Sequence, residues 1–159
     1  MAISLTKGGN VNLSKEAPNL TNMAVGLGWN PRATDGQAFD LDAVAFLVNE
    51  SGKVRADADF IFFNNLKSSD GSVEHTGDNR TGEGDGDDEV INVDLSRVPA
   101  HVQSLVFTVN SFTGQTFEKV ANAFCRIVNA GNNSEVARYN LSAQGSHTAL
   151  ILAKIYRHN

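Results

Sequence analysis

Cysteine is almost absent from this chain. Cys125 is the only one in 159 residues, which excludes an internal disulfide framework and any cysteine-rich zinc site. Long apolar runs are missing as well. The longest, Ala43–Val48, has six residues, far short of the roughly 20 a membrane-spanning helix needs, so no direct membrane insertion is expected. The opening MAISLTKGGN has no apolar stretch behind a basic start, so no secretory signal is read there and an intracellular location is expected. Bases are outnumbered 13 to 18, for a formal charge of −5. Phosphate contacts need clustered Lys and Arg, so nucleic acid is not an expected partner. The four histidines, His75, His101, His147 and His158, lack the spacing of a metal-ligand pair, and neither a GxxxxGK[ST] loop nor a GxSxG elbow occurs.

What is present is acid, and it is concentrated. Between Asp35 and Asp94 lie 15 of the 18 acids and only four bases, a local charge of −11, against +6 over the remaining residues. Asp70 to Glu89 alone holds eight carboxylates against Arg80. Such a run on its own reads as a solvated face. Here Gly82, Gly84 and Gly86 alternate with Glu83, Asp85 and Asp87, followed by Asp88 and Glu89. Glycines let a loop curl until carboxylates converge. Two such charges about 4 Å apart repel by roughly 4 kcal/mol at an effective dielectric of 20, and a hard divalent cation is the usual offset.

Elsewhere the period is two. Asp40–Asn49 puts Asp40, Asp42, Val44, Phe46 and Val48 on one face and Leu41, Ala43, Ala45 and Leu47 on the other, a strand buried on both sides with two acids at its start. Further strands are expected at Met23–Trp29, Asp59–Phe63, Glu89–Leu95, Ser104–Asn110, Phe124–Asn129, Glu135–Leu141 and Thr148–Arg157, with helical turns at Ser96–Val102 and Phe117–Ala123. The expectation is an all-β protein, a two-sheet β-sandwich with one or two short helical turns. Trp29, the nine Phe and Cys125 read as packing residues.

Three constellations bear on chemistry. Asp78–Glu89 has the length of an EF-hand loop, but Arg80 and Glu83 occupy positions that need a ligand and the turn glycine, and flanking helices are lacking. It is a calcium-like loop on a β scaffold. Asp40 and Asp42 share a strand face, where burying two acids is costly unless they are paired or metal-bound. Asp57 and Asp59 have the same spacing, with Lys53 and Arg55 at hand to pair them. Asn64 and Asn65 add amide oxygens suited to a hard cation.

The segments GLGWNPR (26–32), FDLDAVAFL (39–47), DADFIFFNN (57–65) and HTGDNRTGEGDGDDEVI (75–91), with SLTKGGNVNLSK, ARYNL and YRHN, closely resemble the bacterial TerD-domain family of tellurite-resistance and general stress proteins. Residues 1–159 then read as a single TerD-like domain. The resemblance implies a Ca²⁺-binding β-sandwich without enzymatic activity. It implies a cytoplasmic location, peripheral to the inner membrane through other stress and tellurite-resistance proteins. Carried over by position, the metal ligands are Asp40, Asp42, Asn64, Asp78, Asp87, Asp88 and Glu89, then Asn65 and Asp85, with the carbonyls of Gly77 and Gly84. That surplus of acids suggests two neighbouring Ca²⁺ ions. Two departures stand out: Asn30 follows Trp29 where the family often has Asp, and the family's Gly-x-Trp strand and glycine-rich tail are not seen before Asn159, which implies an open sheet edge beside Tyr156. The alternatives are a metal-dependent hydrolase using the same carboxylates, and a partner-binding scaffold in which Ca²⁺ is purely structural.

Overall fold

Alternating segments become paired strands in the computed structural model, which describes residues 3–6, 8–31, 36–82, 86–141 and 147–157. In chain order the strands are β1 (Ile3–Ser4), β2 (Asn22–Gly28), β3 (Leu41–Val48), β4 (Phe60–Ile61), β5 (Val73–His75), β6 (Glu89–Asp94), β7 (Ser104–Ser111), β8 (Phe124–Asn129), β9 (Ser134–Asn140) and β10 (Ala149–Tyr156). They form two sheets, one in the order β1-β9-β8-β2-β6-β5 and one in the order β10-β7-β3-β4. All pairings are antiparallel except the short parallel contact of β1 with β9. The all-β sandwich expected from periodicity is what the chain adopts. Among the described residues no helix is long and apolar enough to cross a membrane.

The core lies between the sheets. Leu41, Ala43, Ala45 and Leu47 of β3 and Leu105, Phe107 and Val109 of β7 meet Met23, Val25 and Leu27 of β2 and Ile91 and Val93 of β6. Each large apolar side chain enclosed there contributes roughly 1.5–3 kcal/mol. The even-numbered residues of β3 face outward, yet Val44 and Val48 are also buried. Beside them runs a chain of ring contacts, Phe46–Phe60–Phe62–Phe63–Phe112, with centroids 4.8, 4.5, 5.2 and 6.0 Å apart. Phe39, Phe107, Phe117, Trp29 and Cys125 are buried.

Local chemistry shortened some elements. The strand expected at Asp59–Phe63 is only Phe60–Ile61, because Asp57–Asp59 forms a 3-10 turn. Asp59 accepts the backbone N–H of Arg55 and pairs with its guanidinium at 3.2 Å, so side-chain bonding outcompetes the ladder there. Phe62 and Asn65 then exchange two backbone hydrogen bonds and close a tight turn. Phe117–Lys119 is a 3-10 turn, shorter than expected, and the Ser96–Val102 segment forms turns without a helix. The α-helix, Leu13–Glu16, lies where no helix was expected. Its signal is Asn12, whose side chain accepts the N–H of Lys15 as an N-cap.

Candidate metal centre

At the end of the sandwich where β3 and β6 begin and β5 finishes, acids from three segments meet. Asp40 precedes β3, Asp42 is its second residue, Asp78 lies in the segment after β5 and Glu89 opens β6. One ligand oxygen from each of the four lies within 4.8 Å of the others. Asp40 and Asp42 are each 5% exposed and Glu89 1%, so three of the four have little water to screen them. Glu89 belongs to the inward-facing set of β6, with Ile91 and Val93. It reaches β3 because β4 is short and pairs only with Ala45 and Phe46. The N–H of Ala43, which has no strand partner on that edge, donates instead to Glu89 Oε1 at 2.9 Å. His75, the inward residue ending β5, lies 3.1 Å from the same oxygen, and the Asn79 N–H donates to Oε2 at 3.3 Å.

These surroundings act on the charges. Burial pushes the Asp42 carboxyl up to about 7, reinforced by Glu89, Asp40 and Asp78. Asp40 is raised by burial and by Asp78, against the pull of Arg80, whose Nε is 4.0 Å away. Glu89 is raised chiefly by burial, while the bonds from His75 and Ala43 hold it back. Asp40 Oδ1 is enclosed and has no hydrogen-bond partner. A buried carboxylate oxygen without a donor is costly, and among four clustered acids it is suited to a hard cation. The oxygen-only donor set is the one preferred by hard ions such as Ca²⁺.

The sequence matches the family model for the TerD domain over residues 1–159. The chain belongs to the TerD-domain family. It is 57% identical over 164 residues to "Tellurium resistance protein TerD" of an Alcaligenes species, covering 100% of this chain and 85% of that protein. "General stress protein 16U" of Bacillus subtilis (strain 168) is 46% identical over 165 residues, covering 100% and 86%. A solved structure from Streptomyces coelicolor A3(2), a homologue of telluride resistance protein TerD, superposes with a TM-score of 0.73 at 22% identity. It covers 88% of this chain and 83% of that one, and it speaks for the fold.

In this TerD domain the remaining candidate ligands divide. Asp87 is committed elsewhere: it takes the Arg126 guanidinium through Nε at 2.9 Å and Nη2 at 3.0 Å. Asp88 accepts the backbone N–H of Trp29 at 2.8 Å and the Asn79 amide at 3.4 Å. Burial raises its carboxyl, the Trp29 N–H opposes that, and Asp87 adds to it. Neither belongs to the group of four. Asn64 is exposed in the turn after β4, and the Asn65 side-chain amide donates to the Phe60 carbonyl at 2.8 Å. Gly77 sits beside Asp78 with φ of +141°, a conformation that favours glycine. Gly84 and Asp85 lie outside the described residues. Asn30 is exposed, and its backbone N–H donates to Ala121.

Other residues that shape the site were not among the ligands expected from the sequence. The glycines of GLGW seat the acidic loop on β2. A Cβ on Gly26 would come 2.4 Å from the Asp87 carboxyl carbon. On Gly28 it would meet Phe124 at 2.4 Å and the Gly86 carbonyl at 2.8 Å. Gly82 has φ of +80° and packs on Trp29, whose indole N–H donates to the Phe39 carbonyl at 3.0 Å. Arg126 pairs across Gly26 and also meets Glu135 at 3.3 Å. The alternation of Gly26 and Gly28 on one strand face was the available clue; the partner across the sheet was not.

Proposed function

We propose that this TerD-domain protein is a non-catalytic Ca²⁺-binding module of the tellurium-resistance and general stress response. The observation that carries the reading is the buried, unpartnered Oδ1 of Asp40 within the group Asp40, Asp42, Asp78 and Glu89. At Ca²⁺–oxygen distances of about 2.3–2.6 Å, oxygens across one ion are about 5 Å apart. One ligand oxygen from each of the four lies within 4.8 Å of the others, so all four fit on one such sphere. We assign one ion to this group. Asp87 and Asp88, part of the surplus that suggested a second ion, have protein partners, and Gly84 and Asp85 lie outside the described residues.

Two observations favour binding over catalysis. Both nitrogens of His75, the histidine beside the group, are engaged in hydrogen bonds within the protein, so its ring serves as a partner of Glu89 and Gly77. The buried Cys125 thiol is pushed up to about 12 by burial and by Asp87, which disfavours its nucleophilic form. The names of the relatives support a role in tellurium resistance and stress, and we infer an intracellular module that works through other proteins of that response. A pull-down with and without chelator tests whether the ion governs that association.

Titration calorimetry of the chelated protein tests the binding itself. A dissociation constant of about 10⁻⁷–10⁻⁵ M is expected, with stabilisation of about 2.7 kcal/mol at an ion concentration one hundred times that constant. Asp42→Asn and Glu89→Gln should each weaken binding by about tenfold or more, the loss of one charged ligand. No heat and no change in melting temperature with Ca²⁺ would end the reading.

A further inference from the structure

His75 ends β5 with its side chain enclosed, 1% exposed, against a Glu89 side chain that is wholly buried. Its Nδ1 lies 3.1 Å from the backbone nitrogen of Gly77. A backbone N–H can only donate, so Nδ1 is the acceptor and carries no proton. The ring hydrogen is therefore assigned to Nε2, which donates to Glu89 Oε1 at 3.1 Å. That oxygen also accepts the N–H of Ala43 at 2.9 Å. Two donors fill its two lone pairs, whereas Oε2, which accepts the Asn79 N–H at 3.3 Å, keeps a lone pair with capacity for an ion.

One ring thus holds both ends of the segment that supplies two of the four acids. Through Nδ1 it fastens Gly77, whose positive φ turns the chain into Asp78. Through Nε2 it fixes the orientation of Glu89. We propose that His75 is a positioning residue of the cation site, which sets Glu89 as a one-oxygen ligand and secures the turn that presents Asp78. The proposal rests on the cation reading above and goes beyond it, because His75 itself donates nothing to the ion. Ligand orientation by an outer hydrogen-bond partner typically changes metal affinity by about 10–100-fold.

The experiment uses the full chain and Ca²⁺ alone as the probe. His75→Leu removes both bonds, His75→Gln keeps a donor near the place of Nε2, and melting curves in chelator report whether each variant is folded. With folding preserved, Leu should weaken Ca²⁺ binding by about 10–100-fold, and Gln should bind at least about fivefold more tightly than Leu. A Leu variant that binds like the wild type, or a Gln variant no better than Leu, would overturn the proposal. If the Leu variant does not fold, nitrogen NMR of the wild-type imidazole decides. Protonated Nε2 with bare Nδ1 supports the assignment, and the opposite tautomer or a doubly protonated ring overturns it. Wild-type protein that gives no heat with Ca²⁺ removes the cation reading and this proposal together, whereas failure of the variants alone removes only the role of His75.

Discussion

Replacing Asp42 by Asn should strengthen the ion-free protein while weakening its response to Ca²⁺. Asp42 is buried beside Glu89, Asp40 and Asp78, and its carboxyl is pushed from the usual 3.8 up to about 7. Once the group is ionised, that gap corresponds to about 4 kcal/mol of lost stability. The sign follows from linkage. A carboxyl whose folded value is raised contributes stability that is fully present below 3.8 and is lost as the pH rises through about 7. Ion-free wild-type protein should therefore melt lower at pH 8 than at pH 6, and Ca²⁺ affinity should rise over the same interval as the proton is displaced. Asn keeps the shape without the charge but still buries an amide, so only part of the 4 kcal/mol returns, about 1–2 kcal/mol. For a chain of this size that is roughly 2–8 °C in melting temperature. The assay is a set of melting curves for both proteins at pH 6 and pH 8, in chelator and in excess Ca²⁺. In chelator at pH 8 the variant should melt above the wild type and show a smaller change with pH, and its rise on adding Ca²⁺ should be reduced. A variant that melts lower in chelator at pH 8, with an undiminished Ca²⁺ response, would refute the electrostatic account of this cluster.

Three further outcomes follow from the packing. Gly82→Ala places a methyl group 2.4 Å from Trp29 Nε1 at a φ of +80°, so it should cost about 1–3 kcal/mol and change the fluorescence of Trp29; unaltered melting and emission would show that the loop is not seated there. Arg126→Ala leaves Asp87 without its bidentate partner over Gly26 and should destabilise the fold by about 2 kcal/mol in urea unfolding, whereas a change near zero would mark the pair as solvated. Cys125 is buried and its thiol is raised to about 12, so a thiol reagent at pH 8 should label it only after unfolding; rapid stoichiometric labelling of native protein would contradict that burial.

The strands were legible where one chemistry dominated. Phe124–Asn129 was expected and is β8, and the ends of the strands at 40–49, 89–95 and 104–110 fall within a residue of those expected. Period-two alternation reports which side chains must leave water, and that requirement is local. The reading failed where short polar side chains bond to their own neighbourhood, as in the Arg55–Asp59 contact that cut the expected strand to Phe60–Ile61. The acids of the site were visible as a density of charge, but their division of labour was not. Asp87 and Glu89 are two residues apart, and one pairs with an arginine from β8 while the other turns inward to Ala43 and His75.

By itself the sequence determined that this is a β-sandwich with acids gathered in one part of the chain, because both facts are properties of composition and period along a single strand or loop. The resemblance to TerD-domain proteins resided in the same local strings. Only the tertiary structure decided which four carboxylates meet, which oxygen among them is left without a donor, and which histidine lies against Glu89. Those outcomes depend on how β3, β5 and β6 are brought together and on how short β4 is, through contacts between residues far apart in the chain. Distance and burial set the strength of electrostatic interactions. The local charge of −11 between Asp35 and Asp94 could therefore become a candidate cation site only once folding had enclosed Asp40, Asp42 and Glu89 together.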